Sequence, residues 1–244
     1  MASAVAGSNE MGAAVGLTIA GNATALTLHL THLYTFVKPV WKAASVGDRT
    51  VYAYVLGMFS SVVLVVYGAT SPPASLPWLT LSVNGVGAAL HLFYIVFYLW
   101  FSAGRERSQA LYLLSAAVSM AAWVTAMACT RRWGTSAVAA MALLSSASTH
   151  LVPAYDVVTT ARSGRVDKIN PIKAVLSVIN GSIWTAYGFA LAGGIICVVV
   201  VPNLIGVVCG AAQVVVYLMH RGNASQIHAV DDGHDLPELH ASPV

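Results

Sequence analysis

The chain has 244 residues, of which 57% are hydrophobic and 9% charged, with a mean hydropathy of +0.73. Soluble domains carry about 25% charged residues, so the composition excludes a water-soluble globule and points to a multi-pass membrane chain. The net charge of +3 gives no nucleic-acid footprint, and Cys129, Cys197 and Cys209, without metal-like spacing, read as free, buried small hydrophobes.

A helix needs about 20 mainly apolar residues to cross a bilayer, and seven segments meet that need: 12–36, 51–70, 76–101, 108–128, 136–160, 172–192 and 194–218. Residues 1–11 lack the basic start of a signal peptide and read as an extracellular N-terminus. The first span carries Gly21-Asn22, His29 and His32; the second Ser60, Leu64 and Tyr67-Gly68. The third holds Asn84-Gly85-x-Gly87 and then His91, on the same face as Asn84. The fifth contains His150, Pro153 and Asp156, the last read as structural or gate-related. The sixth opens at Pro171 and carries Asn180 and Trp184-x-x-Tyr187-Gly188; the seventh has Pro202-Asn203-x-x-Gly206. Residues 219–244 are polar and read as a disordered tail. Ten of the twelve Lys and Arg fall on one side of this layout, only Arg131 and Arg132 on the other. The positive-inside rule then places the N-terminus outside and the tail in the cytosol.

The segments repeat. Leu64-x-x-Tyr67-Gly68 matches Trp184-x-x-Tyr187-Gly188 at an offset of 120, and Asn84-x-x-Gly87 matches Asn203-x-x-Gly206 at 119. Tyr98 and Tyr217 continue the match at 119. Such a period spans four crossings, so three helices repeat and a fourth links them, and both units enter the membrane in the same direction. The expected fold is an all-α membrane protein: seven transmembrane helices as two parallel three-helix bundles, 12–101 and 136–218, joined by a linker helix at 108–128.

An asparagine in hydrocarbon costs free energy unless it is hydrogen-bonded. Asn84 and Asn203 could bond neighbouring helices together or face a water-filled path. Their equivalent placement favours the path, where an amide that donates and accepts suits a neutral, hydroxyl-rich ligand. Trp184, one turn before Tyr187, offers either a lipid-facing anchor or a flat apolar platform for the C–H face of a sugar ring. Ser60 and Asn180, one turn before Leu64 and Trp184, would add polar groups to the same wall. The four membrane histidines read as core residues, with His91 the best exception.

The ordered set Gly21-Asn22, Tyr67-Gly68, Asn84-Gly85-x-Gly87, Trp184-x-x-Tyr187-Gly188 and Pro202-Asn203-x-x-Gly206 resembles the SWEET sugar transporters over roughly residues 12–222. Parallel repeats about an axis along the membrane normal are the known layout of that family. The resemblance implies a bidirectional, facilitative uniporter of mono- or disaccharides working by alternating access, often oligomeric, without cofactor or metal. It implies a binding site at Asn84, Asn203, Trp184, Leu64, Ser60 and Asn180, and gates or hinges at Tyr67, Tyr187, Pro153 and Pro171. The plasma membrane is the expected site.

The chain departs from the family in its first repeat. Thr31–Phe36 and Tyr52–Val55 lack the prolines that would match Pro153 and Pro171, and Pro39 lies further along. On that asymmetry the fifth and sixth spans should bend more than the first and second. Position 64 is apolar, His91 stands where relatives often have glutamate, and Ala192–Val201 holds no acid. Two alternatives are a seven-helix receptor, which the repeat argues against, and a related carrier of another small solute, possibly proton-coupled through His91. An enzyme is the least supported class, since no paired carboxylates, nucleophile–base set or metal cluster occurs in the spans.

Overall fold

A computed structural model describes residues 2–70, 78–190 and 196–231, and every regular element among them is a helix. In order they are α1 (Ala2–His32), a π-helical segment (Leu33–Val37), α2 (Lys38–Ala43), α3 (Tyr52–Thr70), α4 (Trp78–Phe101), α5 (Gly104–Cys129), α6 (Thr135–Ser148), α7 (Leu151–Ser163), α8 (Pro171–Ala190) and α9 (Ile196–Asp231). The first crossing is α1 with the π segment and α2, and the fifth is α6 with α7. The expected ends of the third, sixth and seventh spans at 76, 192 and 194 lie outside the described residues. α9 runs past the expected end at 218 to Asp231.

Six of the seven crossings are long and apolar enough to be membrane spans on composition alone. The exception is α8, because its 20 residues include Lys173, Ser177, Asn180, Ser182 and Thr185. It packs on α9 and α1 instead of presenting a uniformly apolar surface. The crossing left out on composition is the one that carries the polar groups of the sixth-span motif.

Backbone chemistry explains the breaks. Pro153 has no N–H to offer Thr149, so the helix before it tightens. Thr149 and His150 donate to the carbonyls of Ser146 and Ala147, three residues back, and α7 restarts at Leu151. The first crossing breaks too, although no proline stands at the corresponding place. Lys38 N–H reaches five residues back to the Leu33 carbonyl, and Pro39 follows with no N–H at all. The first span, expected to bend less than the fifth for want of a matching proline, thus carries a break of its own, a π-helical turn just ahead of Pro39. Pro171 bends nothing. It is the first residue of α8, where a missing N–H has no cost, and Asn170 Oδ1 caps that end by accepting the Lys173 N–H at 2.9 Å.

In the first bundle α4 lies between α1 and α3; in the second α9 lies between α6–α7 and α8. The bundles meet along two seams, α1 with α8 and α3 with α6, while the linker α5 packs on α3. A two-fold operation that carries α1 to α6–α7 and α3 to α8 exchanges the two seams, as a parallel repeat requires. The first bundle is filled by Phe36, Tyr54, Met58, Tyr94, Ile95 and Tyr98. The cysteines are free, but Cys129 and Cys197 are exposed at helix ends, not buried as expected. A membrane helix can turn a small sulfur side chain to hydrocarbon without loss.

Candidate functional site

The two signature asparagines sit on α4 and α9, the middle helix of each bundle, and make the same bond. Asn84 Nδ2 donates to the Thr80 carbonyl at 2.8 Å, and Asn203 Nδ2 donates to the Val199 carbonyl at 2.6 Å. Each bond runs four residues back along its own helix, each amide is half-buried, and neither is a bond between helices. Among the described residues no other hydrogen bond engages either amide, which leaves each a second N–H and a carbonyl oxygen. Asn203 also follows Pro202, the proline inside α9 that cannot donate to its own turn. Self-anchoring of this kind orients an amide and keeps one donor and its oxygen for something else.

The other expected site residues divide between the two seams. On the α1–α8 seam, the Trp184 indole is 7% exposed and meets the Tyr187 ring edge-on at 5.3 Å, with Val199, Ala14 and Leu17 around them. One turn away Asn180 Oδ1 accepts from Thr24 Oγ1 at 2.8 Å. At the far end Lys173 Nζ stands 3.3 Å from His32 Nε2. On the α3–α6 seam, Ser60 and Ser146 hydroxyls bond at 3.3 Å. Leu64 and Tyr67 pack there into a cluster with Val63, Val124, Val138, Ala142 and Val198. Ser60 and Asn180 are therefore equivalent in place and equivalent in work, each tying one bundle to the other. Pro153 stands apart from these groups, at the break in the fifth crossing, and Pro171 at the start of α8.

Three groups escaped the sequence reading. Asn22, buried, bonds the Thr18 carbonyl at 2.8 Å and Thr80 Oγ1 at 3.2 Å, so the residue whose carbonyl anchors Asn84 is itself tied to α1. His29 lies over Gly87 and His150 over Gly206, a symmetric pair at an offset of 121 that a scan for shared motifs could have caught. His29, His32 and His91 form one aromatic group with Tyr54 and Tyr94: His29 meets His91 at 4.9 Å, and His32 meets Tyr54 at 5.1 Å. His91 Nδ1 bonds the Gly87 carbonyl at 2.8 Å. His91 faces other rings, not Asn84's free amide atoms, and among the described residues no His, Cys, Asp or Glu grouping suits a metal ion. Clefts at the surface lie elsewhere: one of about 130 Å³ is lined by Arg49, Tyr52, Tyr98 and Glu106, and an apolar one of about 170 Å³ by Trp41, Phe93, Phe97 and Trp100.

Residues 136–224 match the family model described as "Sugar efflux transporter for intercellular exchange". The bidirectional sugar transporter SWEET4 of Oryza sativa is 30% identical over 86% of this chain and 80% of its own length. SWEET3b of the same species is 29% identical over 94% of this chain and 92% of its own. A solved structure of a eukaryotic SWEET transporter superposes with a TM-score of 0.73 at 24% identity, covering 86% of this chain and 97% of that one. With the repeat, the paired amides and the two-bundle fold, these likenesses place the chain: it belongs to the SWEET family, whose members are sugar transporters and not enzymes.

Proposed function

We propose that the chain is a bidirectional uniporter that carries mono- or disaccharides down their gradient, holding the sugar between Asn84 and Asn203 and opening alternately to either side. The observation that carries this is the matched pair of amides, each anchored to its own helix with a donor and an acceptor left over. A sugar hydroxyl needs both. Trp184 supplies an apolar face once the α1–α8 seam opens, and Leu64 its smaller counterpart on the other seam. Ser60 and Asn180 exchange their inter-bundle bonds for sugar or water as the seams part. Tyr67 and Tyr187, both almost fully buried, close one end of the path. The breaks before Pro153 and Pro39 let the halves of the first and fifth crossings move, while Pro171 fixes the start of α8. The ten-to-two split of basic residues supports an external N-terminus and a cytosolic tail; the plasma membrane and assembly with copies of itself rest on the SWEET resemblance alone.

The test is sugar affinity and surface abundance for Asn84→Ala, Asn203→Ala and the double variant. Each amide bond should contribute about 0.5–1.5 kcal/mol net, so each single variant should bind sugar several-fold more weakly at normal abundance. Normal sugar affinity in both singles would mean that the amides serve the fold and not the ligand.

A further inference from the structure

The Trp184 indole needs a particular neighbour. It rests on Gly21 of α1, where a Cβ would lie 2.8 Å from Cε2, 3.0 Å from Nε1 and 3.1 Å from Cζ2. Gly21 is helical and buried, with no left-handed backbone to explain it. Glycine is a poorer helix former than alanine, so the helix alone would favour a methyl group there. Gly12, Gly16 and Gly85, also helical, would meet nothing within 4 Å. The contact that demands a glycine at 21 is the indole.

The second seam supplies an independent comparison. Applying the offsets of 121 for the first crossing and 120 for the second, the counterparts of Gly21 and Trp184 are Ala142 and Leu64. These two lie in one cluster on the α3–α6 seam, with Ala142 fully buried. One seam thus joins the largest side chain to the smallest residue, and the other joins a medium side chain to a small one. The volumes compensate across the repeat.

We propose that Gly21 is a positioning residue: it seats the Trp184 indole against α1, and the depth of that seat sets how large a sugar the path admits. The second clause rests on the sugar-carrier proposal above; the first does not. A methyl group at 21 would push the indole's edge off α1 and toward the space between the bundles, narrowing it for the bulkiest solute first.

The experiment compares Gly21→Ala, Trp184→Leu and the double variant in the full-length protein. The double variant copies the alanine–leucine pairing of the other seam. Melting in detergent reads the seat; uptake of xylose, glucose and sucrose reads the path. Gly21→Ala should melt several degrees below the wild type and lose uptake at least fivefold, more steeply for larger sugars among those the wild type carries. The double variant should recover the melting temperature, including the case in which the single variant never reaches the membrane. A Gly21→Ala protein that melts at or above the wild type, as a better helix former would, overturns the seat. A defect undiminished in the double variant overturns it too. If the melting temperature recovers while Trp184→Leu alone carries sugars normally, the seat stands and the sugar-platform role of Trp184 fails. The melting arm decides the seat even if none of the three sugars is carried.

Discussion

The polar contact at the far end of the α1–α8 seam should control how often that seam opens. Lys173 Nζ donates to His32 Nε2 at 3.3 Å, and the two groups belong to different bundles. Removing the acceptor with His32→Ala therefore acts on the bundles' separation as well as on the fold. A hydrogen bond involving a charged group contributes about 1.5–3 kcal/mol net, and at this length the lower end applies. A loss of about 1.5 kcal/mol is close to a tenfold shift in a two-state equilibrium. His32 also packs its ring on Tyr54 at 5.1 Å and Tyr94 at 5.5 Å, so His32→Ala mixes a packing loss with the bond. His32→Gln separates them, because its amide oxygen keeps an acceptor for Lys173. Spin labels replacing the exposed Leu30 on α1 and Val175 on α8 would report the seam's distance distribution. The separated population should rise roughly tenfold in His32→Ala and much less in His32→Gln. Identical distributions in wild type and His32→Ala would show that the bond does not hold the seam, and equal shifts in both variants would assign the effect to ring packing.

Two further outcomes follow from the backbone breaks and the charges. Pro153→Ala and Pro39→Ala each restore an N–H to a broken crossing, so both should slow sugar exchange while leaving sugar affinity within about twofold, in line with hinge residues that absorb backbone change; normal exchange in both variants removes these breaks from the transport cycle. A C-terminal tag should stain only after permeabilisation and an N-terminal tag in intact cells; staining of the C-terminal tag in intact cells reverses the orientation.

The two-bundle architecture was legible because hydrocarbon allows few solutions. A chain this apolar must satisfy its backbone within helices, and an ordered repeat leaves little choice about how they are grouped. Motif recognition also found the amides and both members of the Ser60–Asn180 pair. What it could not see were relations across space. That α4 sits between α1 and α3 is set by packing, not by chain order. Ser60 and Asn180 looked like cavity wall, but Thr24 and Ser146, which bond them, carry no motif of their own. The π-helical break leaves no proline at the position equivalent to Pro153, because it lies just ahead of Pro39 instead.

An asparagine deep in a bilayer chain should be rare, and this chain keeps one on the middle helix of each bundle. The bonds it makes resolve the difficulty. An amide used purely to join helices would direct both its donors and its oxygen to a neighbour, since any unpaired polar atom in hydrocarbon costs free energy. Asn84 and Asn203 instead each bond a carbonyl of their own helix, which lowers the cost of burial without fixing one helix to another. The inter-bundle bonds fall to other residues, Thr24 with Asn180, Ser60 with Ser146 and Lys173 with His32. Separating the two tasks matters for a carrier. In the proposed alternating-access cycle the groups that join the bundles let go in each turn, while the groups that hold the solute keep their orientation whichever side is open. An amide tied to its own helix moves with that helix and stays aimed, so under the proposed mechanism the two amides would not have to be rebuilt each time a seam parts.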